Sequence, residues 1–300
     1  MLLVDFLKEG TQSLEPLYPA PEARNLVQLL CQELIGTQNY THIIEPQYTV
    51  AEKDVPALEA GLERLKKGEP IQYVTGVSEF CGRRFHVTPD VLIPRPETEL
   101  LVREAVKVAD RLHRLRSPYG KSAEPVRVLD LCTGSGNIAW SVALEVPGVQ
   151  VVGVDLSDGA LEVARGQAFA AELKASGALA PVFVKADVLD TEQDFPYGPF
   201  DLILSNPPYI QEKEKAAMRR NVLDYEPASA LFVSDEDPLL FYRAIAAWSV
   251  RLLGAEGVGI SEINEELGAP TQALFREAGF PEVELLNDFF DKTRFVFYKK

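Results

Sequence analysis

From Val126 onward, short apolar runs alternate with helical stretches, and few folds tolerate that alternation. Val126–Leu131, Val151–Val154, Val182–Ala186, Leu202–Ser205, Val258–Ile263 and Arg294–Tyr298 read as strands. Helices are predicted from about Asn137, over an alanine-rich stretch from Asp158 to Ala175, and over Phe241–Leu253. Strands this apolar are covered on both faces, which predicts an α/β fold with a mostly parallel sheet. Ligands bind such sheets at the carboxyl ends of the strands. The places to look for chemistry are therefore just after Leu131, Val154, Ala186 and Ser205.

The first third of the chain has a different pattern. Leu26, Val27, Leu29, Leu30 and Leu34 recur at helical spacing behind Pro21-Glu22, an ordinary first turn. A second helix is predicted from Thr49, with Glu52 completing a capping box, through Val55, Leu58, Leu62 and Leu65 until Gly68 stops it. Alternation over Phe80–Val87 predicts a short hairpin, and the polar stretch Arg111–Pro125 a surface loop. Residues 1–93 hold eight Lys and Arg against thirteen Asp and Glu, a net −5, so this part is no basic arm for nucleic acid. Such a helical bundle either packs on its neighbour or recognises a substrate, and the two roles are compatible.

Charge and composition narrow the function. The whole chain carries a formal net charge of −15, which opposes nonspecific binding to DNA or RNA and suits a basic protein partner. Cys31, Cys81 and Cys132 are too far apart for a disulfide framework or a zinc site, and only three histidines are present, so no metal is expected. Charge interrupts the N-terminal apolar residues early, and no apolar run reaches membrane-spanning length. A cytoplasmic location and no membrane contact are expected.

Each of the four strand ends carries a candidate ligand group. After Leu131 comes Cys132-Thr133-Gly134-Ser135-Gly136-Asn137, whose glycines let the backbone turn tightly beside a ligand over the next helix. Gly134, Gly136 and Ala139 also satisfy a dinucleotide fingerprint, so this loop alone does not choose a cofactor. Asp155 stands about 20 positions on, where a carboxylate accepts the ribose diol of NAD or of S-adenosylmethionine; a helix cap is the alternative, with Ser157 the better candidate for that. Asp187 could accept an adenine amine while Val188 packs on the ring, although an Asp after a strand is often simple turn chemistry.

The fourth end discriminates. Phe200–Ser205 runs into Asn206-Pro207-Pro208-Tyr209. Two prolines stop the strand, stiffen the loop and remove two N–H groups, leaving a face rich in acceptors. Asn206 adds a side-chain oxygen and Tyr209 an aromatic wall. The site suits a planar nitrogen with two N–H groups to donate, either the exocyclic amine of adenine or the carboxamide of glutamine or asparagine. Hydrogen bonds to the Asn206 oxygen and the Pro207 carbonyl would hold that nitrogen in line with a methyl donor.

These motifs resemble the release-factor glutamine N5-methyltransferases, and the resemblance runs nearly the whole length. It is carried by Gly68–Gly76, by Leu92-Ile93-Pro94-Arg95-Pro96-Glu97-Thr98-Glu99, by the Asn206–Tyr209 tetrad, by Asp224–Pro227 with Ala230-Leu231, and by Asp291–Arg294. It implies a seven-stranded, mostly parallel, doubly wound methyltransferase sheet behind a small N-terminal helical domain. The implied division is a substrate-recognition domain over residues 1–76, a hairpin linker over 77–93 and a catalytic domain over 94–300. S-adenosylmethionine, leaving as S-adenosylhomocysteine, would be held by Thr133, Gly134, Ser135, Gly136, Asp155, Asp187, Val188 and Asn206. Asn206, Pro207, Pro208 and Tyr209 would bind the glutamine of a Gly-Gly-Gln loop in peptide chain release factors, with Asn206, Pro207 and Tyr209 catalytic. A monomer with no direct nucleic-acid partner is implied.

Cys132 stands where many members of that family have Gly, and Cys there also occurs in sister enzymes that methylate ribosomal protein L3. Pro94–Glu99 favours release factors. A DNA adenine methyltransferase would share the tetrad but add a basic, base-reading region, which this chain lacks. An NAD-dependent dehydrogenase or a scaffold without chemistry would leave Asn206 and the two prolines unexplained.

Overall fold

The computed structural model describes residues 1–116 and 124–300. By its internal contacts the chain forms two compact units, Met1–Val77 with Met218–Tyr225, and Ser78–Ala217 with Glu226–Lys300.

The first unit is helical: α1 (Leu3–Leu14), α2 (Ala20–Ile35), α3 (Thr41–Ile44), α4 (Val55–Lys66) and α5 (Ile71–Thr75). Leu3, Phe6 and Leu14 of α1 bury against Val27 and Leu30 of α2 and Leu58, Leu62 and Leu65 of α4. The i, i+3 and i+4 spacing places these residues on one stripe of each helix. The predicted second helix begins later than its capping box suggests. Thr49 instead bridges to Leu2, and the N–H of Val50 bonds to the carbonyl of Met1 at 3.0 Å. That pairing holds residues 48–50 extended, and α4 starts at Val55 with a proline in its first turn.

The second unit opens with a hairpin, β1 (Val77–Phe80) and β2 (Arg83–His86). Its two-residue loop, Cys81-Gly82, has φ of 49° and 69°, the left-handed pair that matches strand twist. Then follow α6 (Thr98–Arg116), β3 (Val126–Leu131), α7 (Asn137–Glu145), β4 (Val149–Asp155), α8 (Asp158–Arg165), α9 (Ala170–Ser176), β5 (Val182–Lys185) and β6 (Phe200–Ser205). The chain continues through β7 (Ile210–Gln211), α10 (Arg220–Tyr225, part of the first unit), α11 (Ala228–Leu231), β8 (Phe232–Val233), α12 (Leu240–Leu252), β9 (Leu253–Glu262), α13 (Gly268–Glu277), β10 (Glu282–Asn287) and β11 (Thr293–Lys299).

Seven strands form one sheet in the order β10-β11-β9-β6-β3-β4-β5. The run from β9 to β5 is parallel, while β11 is antiparallel to both β9 and β10. This is the predicted seven-stranded, mostly parallel, doubly wound sheet. Alternate residues of each strand feed two cores. Val126, Val128, Leu202 and Leu204 pack with Trp140, Phe169 and Phe183 on one face. Leu129, Leu131 and Ile203 pack with Tyr242, Trp248, Phe275 and Tyr298 on the other.

Two predicted elements change. The helix expected from Asp158 to Ala175 is two helices, because Gly166 ends α8 and the next residues are recruited elsewhere. The buried Gln167 amide bonds to both the N–H and the carbonyl of His86, and Phe169 packs on Phe85 and Trp140. The loop predicted from Arg111 is helical to Arg116, where the guanidinium pairs with Asp201 and with the Pro125 carbonyl. Ser117-Pro118-Tyr119-Gly120 of that stretch lies outside the described residues. Edge strand β10 and helices α1, α6 and α13 were not predicted.

Candidate active site

A cavity of about 360 Å³ opens at the carboxyl ends of β3, β4, β5 and β6, where the strand order reverses between β3 and β6. Thr133, Gly134 and Ser135 line it after β3, Asp155 and Leu156 after β4, Asp187, Val188 and Leu189 after β5, and Asn206 and Pro208 after β6. Gly136, Pro207 and Tyr209 do not line it.

The glycine loop is built on Asp130, the fully buried penultimate residue of β3. Its carboxylate accepts the Thr133 hydroxyl at 2.6 Å and the Ala139 N–H at 3.2 Å, tying the strand to α7. Burial pushes this carboxyl up to about 7, against the pull of those two bonds. Thr133 thus lines the cavity with its hydroxyl committed to Asp130. Packing requires glycine at 136: at φ 76°, a Cβ there would sit 2.9 Å from Phe183 and 3.0 Å from Trp140. Cys132 adopts φ 61°, a left-handed conformation that explains why Gly is at home in this place.

Asp155 accepts the N–H of Gly134 at 2.9 Å and that of Ser157 at 3.0 Å. Burial raises its pKa, and these backbone donors oppose the rise. Ser157, as foreseen, caps α8 through the Ala160 N–H. Asp187 accepts the Leu189 N–H at 2.9 Å, the turn chemistry weighed above, while also lining the cavity. Val188 is buried, and its carbonyl takes the Trp248 indole N–H at 2.9 Å. Leu156 and Leu189 stay 59% and 40% exposed on the cavity wall. Two carboxylates beside exposed leucines fit a nucleoside, polar at its ribose and apolar at its base faces.

The tetrad is tied to α6 and β9. Asn206 Nδ2 donates to Thr98 Oγ1 at 3.1 Å, Thr98 donates to Glu262 Oε2 at 2.7 Å, and the Tyr209 hydroxyl donates to Glu262 Oε1 at 2.8 Å. Glu262 is 1% exposed, and burial raises its pKa against the two hydroxyl donors and the Arg294 charge. Tyr209 leaves the cavity because its hydroxyl reaches this carboxylate; burial and the adjacent negative charge hold its pKa well above the usual phenol value. Pro207 is buried and stays outside the cavity lining. Glu262 lies outside the four strand-end motifs, although a glutamate in the apolar run Val258–Ile263 is itself a signal.

The two signature stretches around the tetrad hold one another. Arg95 donates to Glu226 Oε1 at 2.6 Å, and the Ile93 N–H donates to Oε2 at 3.1 Å. Arg95→Ala should cost about 3 kcal/mol, because it strands a carboxylate that is 1% exposed. Urea unfolding measures this, and a loss below about 1 kcal/mol would mean that water reaches Glu226 freely. Among the described residues no cluster of His, Cys, Asp and Glu could hold a metal ion, and no helix is long and apolar enough to cross a membrane.

Comparison with known proteins places these features in context. Residues 5–76 match the family described as PrmC N-terminal domain, and residues 118–226 the Methyltransferase small domain. A release factor glutamine methyltransferase of Bacteroides thetaiotaomicron is 37% identical over 285 residues, covering 95% of each chain. The protein of the same name in Flavobacterium psychrophilum is 33% identical, covering 99% of this chain and 98% of that one. That of Chlorobaculum tepidum is 35% identical, covering 89% and 87%. Among solved structures, the hMettl16 catalytic domain shares the fold, with a TM-score of 0.51 at 15% identity over 83% of this chain and 81% of that one.

Proposed function

The chain belongs to the release factor glutamine methyltransferase family, and from that membership we propose that it methylates the side-chain amide nitrogen of the glutamine in the Gly-Gly-Gln loop of peptide chain release factors. It is an S-adenosylmethionine-dependent methyltransferase. The observation that carries the substrate assignment is the Asn206 amide at the cavity rim, its nitrogen committed to Thr98 and its oxygen free to accept an N–H.

Asp155 receives the ribose hydroxyls, Asp187 the adenine amine, and Val188 packs beside the base, with Thr133, Gly134 and Ser135 forming the floor. When bound, S-adenosylmethionine supplies an electrophilic methyl group. Asn206 Oδ1 and the Pro207 carbonyl hold the two N–H groups of the glutamine amide and fix its nitrogen in line. In the transfer the methyl–sulfur bond would break as the N–C bond forms, those acceptors would stabilise the positive charge growing on nitrogen, and one N–H proton would then leave to solvent. Pro208 walls the slot, and Tyr209 anchors its far end through Glu262.

Residues 1–76 act as the release-factor recognition domain, 77–93 as the link and 94–300 as the catalytic domain. The protein works as a cytoplasmic monomer, touching neither nucleic acid nor membrane. Mass spectrometry of release factors and ribosomal protein L3, each incubated with the enzyme and S-adenosylmethionine, tests the assignment. A methyl group on the Gly-Gly-Gln glutamine is the expected result; a methyl group found only on L3 would refute it.

Asp155→Ala removes two charge-assisted ribose bonds worth ~1.5–3 kcal/mol each. Affinity for S-adenosylhomocysteine should fall at least about tenfold by calorimetry. Because Asp155 also holds Gly134 and Ser157, thermal unfolding must accompany the measurement. Undiminished binding would remove this carboxylate from the cofactor site.

A further inference from the structure

We infer that Glu262 and Thr98 are positioning residues that set which way the Asn206 amide faces. The inference rests on the reading that Asn206 accepts an N–H from the substrate amide. An asparagine amide has nearly the same shape either way round, so packing cannot choose between its oxygen and its nitrogen. Only the polarity of its hydrogen-bond partner can.

That polarity is set two bonds away. Glu262 ends β9 with one hydroxyl on each oxygen, Thr98 on Oε2 and Tyr209 on Oε1; burial raises its pKa, and these two hydroxyls and the Arg294 charge oppose the rise. The Thr98 hydroxyl has one proton, and it is spent on Glu262 Oε2. The Thr98 oxygen then offers its other neighbour only lone pairs. Asn206 must meet it with the amide nitrogen, as the 3.1 Å contact shows, and this turns Oδ1 away from Thr98. Were Thr98 to donate to Asn206 instead, an NH₂ group would confront the substrate's own N–H donors.

The same carboxylate steadies the other end of the tetrad. Tyr209 is held by its hydroxyl to Glu262 and by its carbonyl to Asn264 Nδ2 at 3.2 Å, so β9 and the residue two places beyond it clamp the loop. Thr98 and Glu262 lie 164 positions apart in the chain and meet at the first residue of α6 and the last of β9.

Glu262→Gln keeps the shape but replaces one acceptor oxygen with an NH₂ donor, so Thr98 and Tyr209 can no longer both donate to it. Thr98→Val removes the relay and keeps the carboxyl, but takes away the donor on Glu262 Oε2, so thermal unfolding accompanies both variants. Each should lower single-turnover methylation of a release factor about 10- to 50-fold, with the protein KM and S-adenosylhomocysteine affinity held within about twofold. Thr98→Ser, which keeps the hydroxyl, should recover most of the rate. On an Asn206→Ala background, Thr98→Val should cost less than about twofold more, because the Thr98 hydroxyl has no amide left to orient, whereas Glu262 also holds Tyr209.

Rates of E262Q and T98V within about threefold of wild type would overturn the inference, as would a full additional loss in the double variant. A wild-type enzyme that leaves the release-factor glutamine unmethylated would overturn the functional reading beneath it, so the two failures are distinguishable.

Discussion

Asn206→Ala is expected to slow methyl transfer about 100-fold or more while leaving a folded protein that still binds its protein substrate. The side chain is half-buried at the end of β6, and its truncation removes one hydrogen bond, to Thr98, from the folded state. Stability should therefore change little, by about 1 kcal/mol. The rate is another matter. In the proposed arrangement, a substrate amide without Oδ1 keeps only the Pro207 carbonyl as an acceptor and pivots about that contact. A nitrogen displaced by about 1 Å from the line of the breaking bond can lose a hundredfold in rate. Single-turnover measurements with both ligands saturating isolate this step, and KM should move far less than kcat. A rate within about threefold of wild type would remove the tetrad from the catalytic centre.

The parts of this site that were legible in the sequence are those in which one short segment carries its own meaning. Asn206-Pro207-Pro208-Tyr209 announces a strand that must stop, with acceptors where donors would otherwise stand. Asp155 and Asp187 follow apolar runs at the carboxyl ends of strands, so the parallel sheet alone places them on one cavity. Gly136 was legible as a required glycine, and the fold adds a second reason for it. That reason is the Phe183 and Trp140 rings packed beneath the loop, and Phe183 is distant in sequence.

What was not legible depends on topology. Thr98 and Glu262 are individually unremarkable until α6 is laid against the end of β9, and Arg95 and Glu226 are 131 positions apart before the fold joins them. The break at Gly166 was hidden because the alanine-rich pattern continues past it, and only the hairpin's claim on Gln167 and Phe169 unwinds the chain there. Edge strand β10 escaped notice because Glu282 and Glu284 face solvent, which weakens the apolar pattern a central strand shows.

Gly259→Ala carries the largest stability effect we expect, and it shows how the fold supports the site. Gly259 lies in β9 directly opposite Tyr298 of β11, and a Cβ there would come within 1.9 Å of the tyrosine Cζ. The ring has nowhere to go. It is fully buried, its centroid 4.2 Å from that of Phe275 and 4.8 Å from that of Phe280, and its hydroxyl is bonded to Ser249 at 2.8 Å. Burial pushes that hydroxyl's pKa up to about 12, so it is neutral and does not ionise at any working pH. Moving the ring costs about 1–3 kcal/mol of overpacking strain, and breaking the Ser249 bond inside the core costs about as much again. A total near 3–5 kcal/mol should be visible in urea or thermal unfolding. Glu262 is three residues further along the same strand, so whatever protein remains folded should also methylate more slowly. Cofactor affinity should hold better, since the carboxylates proposed to hold it, Asp155 and Asp187, follow β4 and β5 at the other end of the sheet. Adding Tyr298→Leu should return part of the lost stability by making room for the new methyl group. A single variant losing less than about 1 kcal/mol, or a double variant with no recovery, would show that this close approach is not what requires glycine in β9.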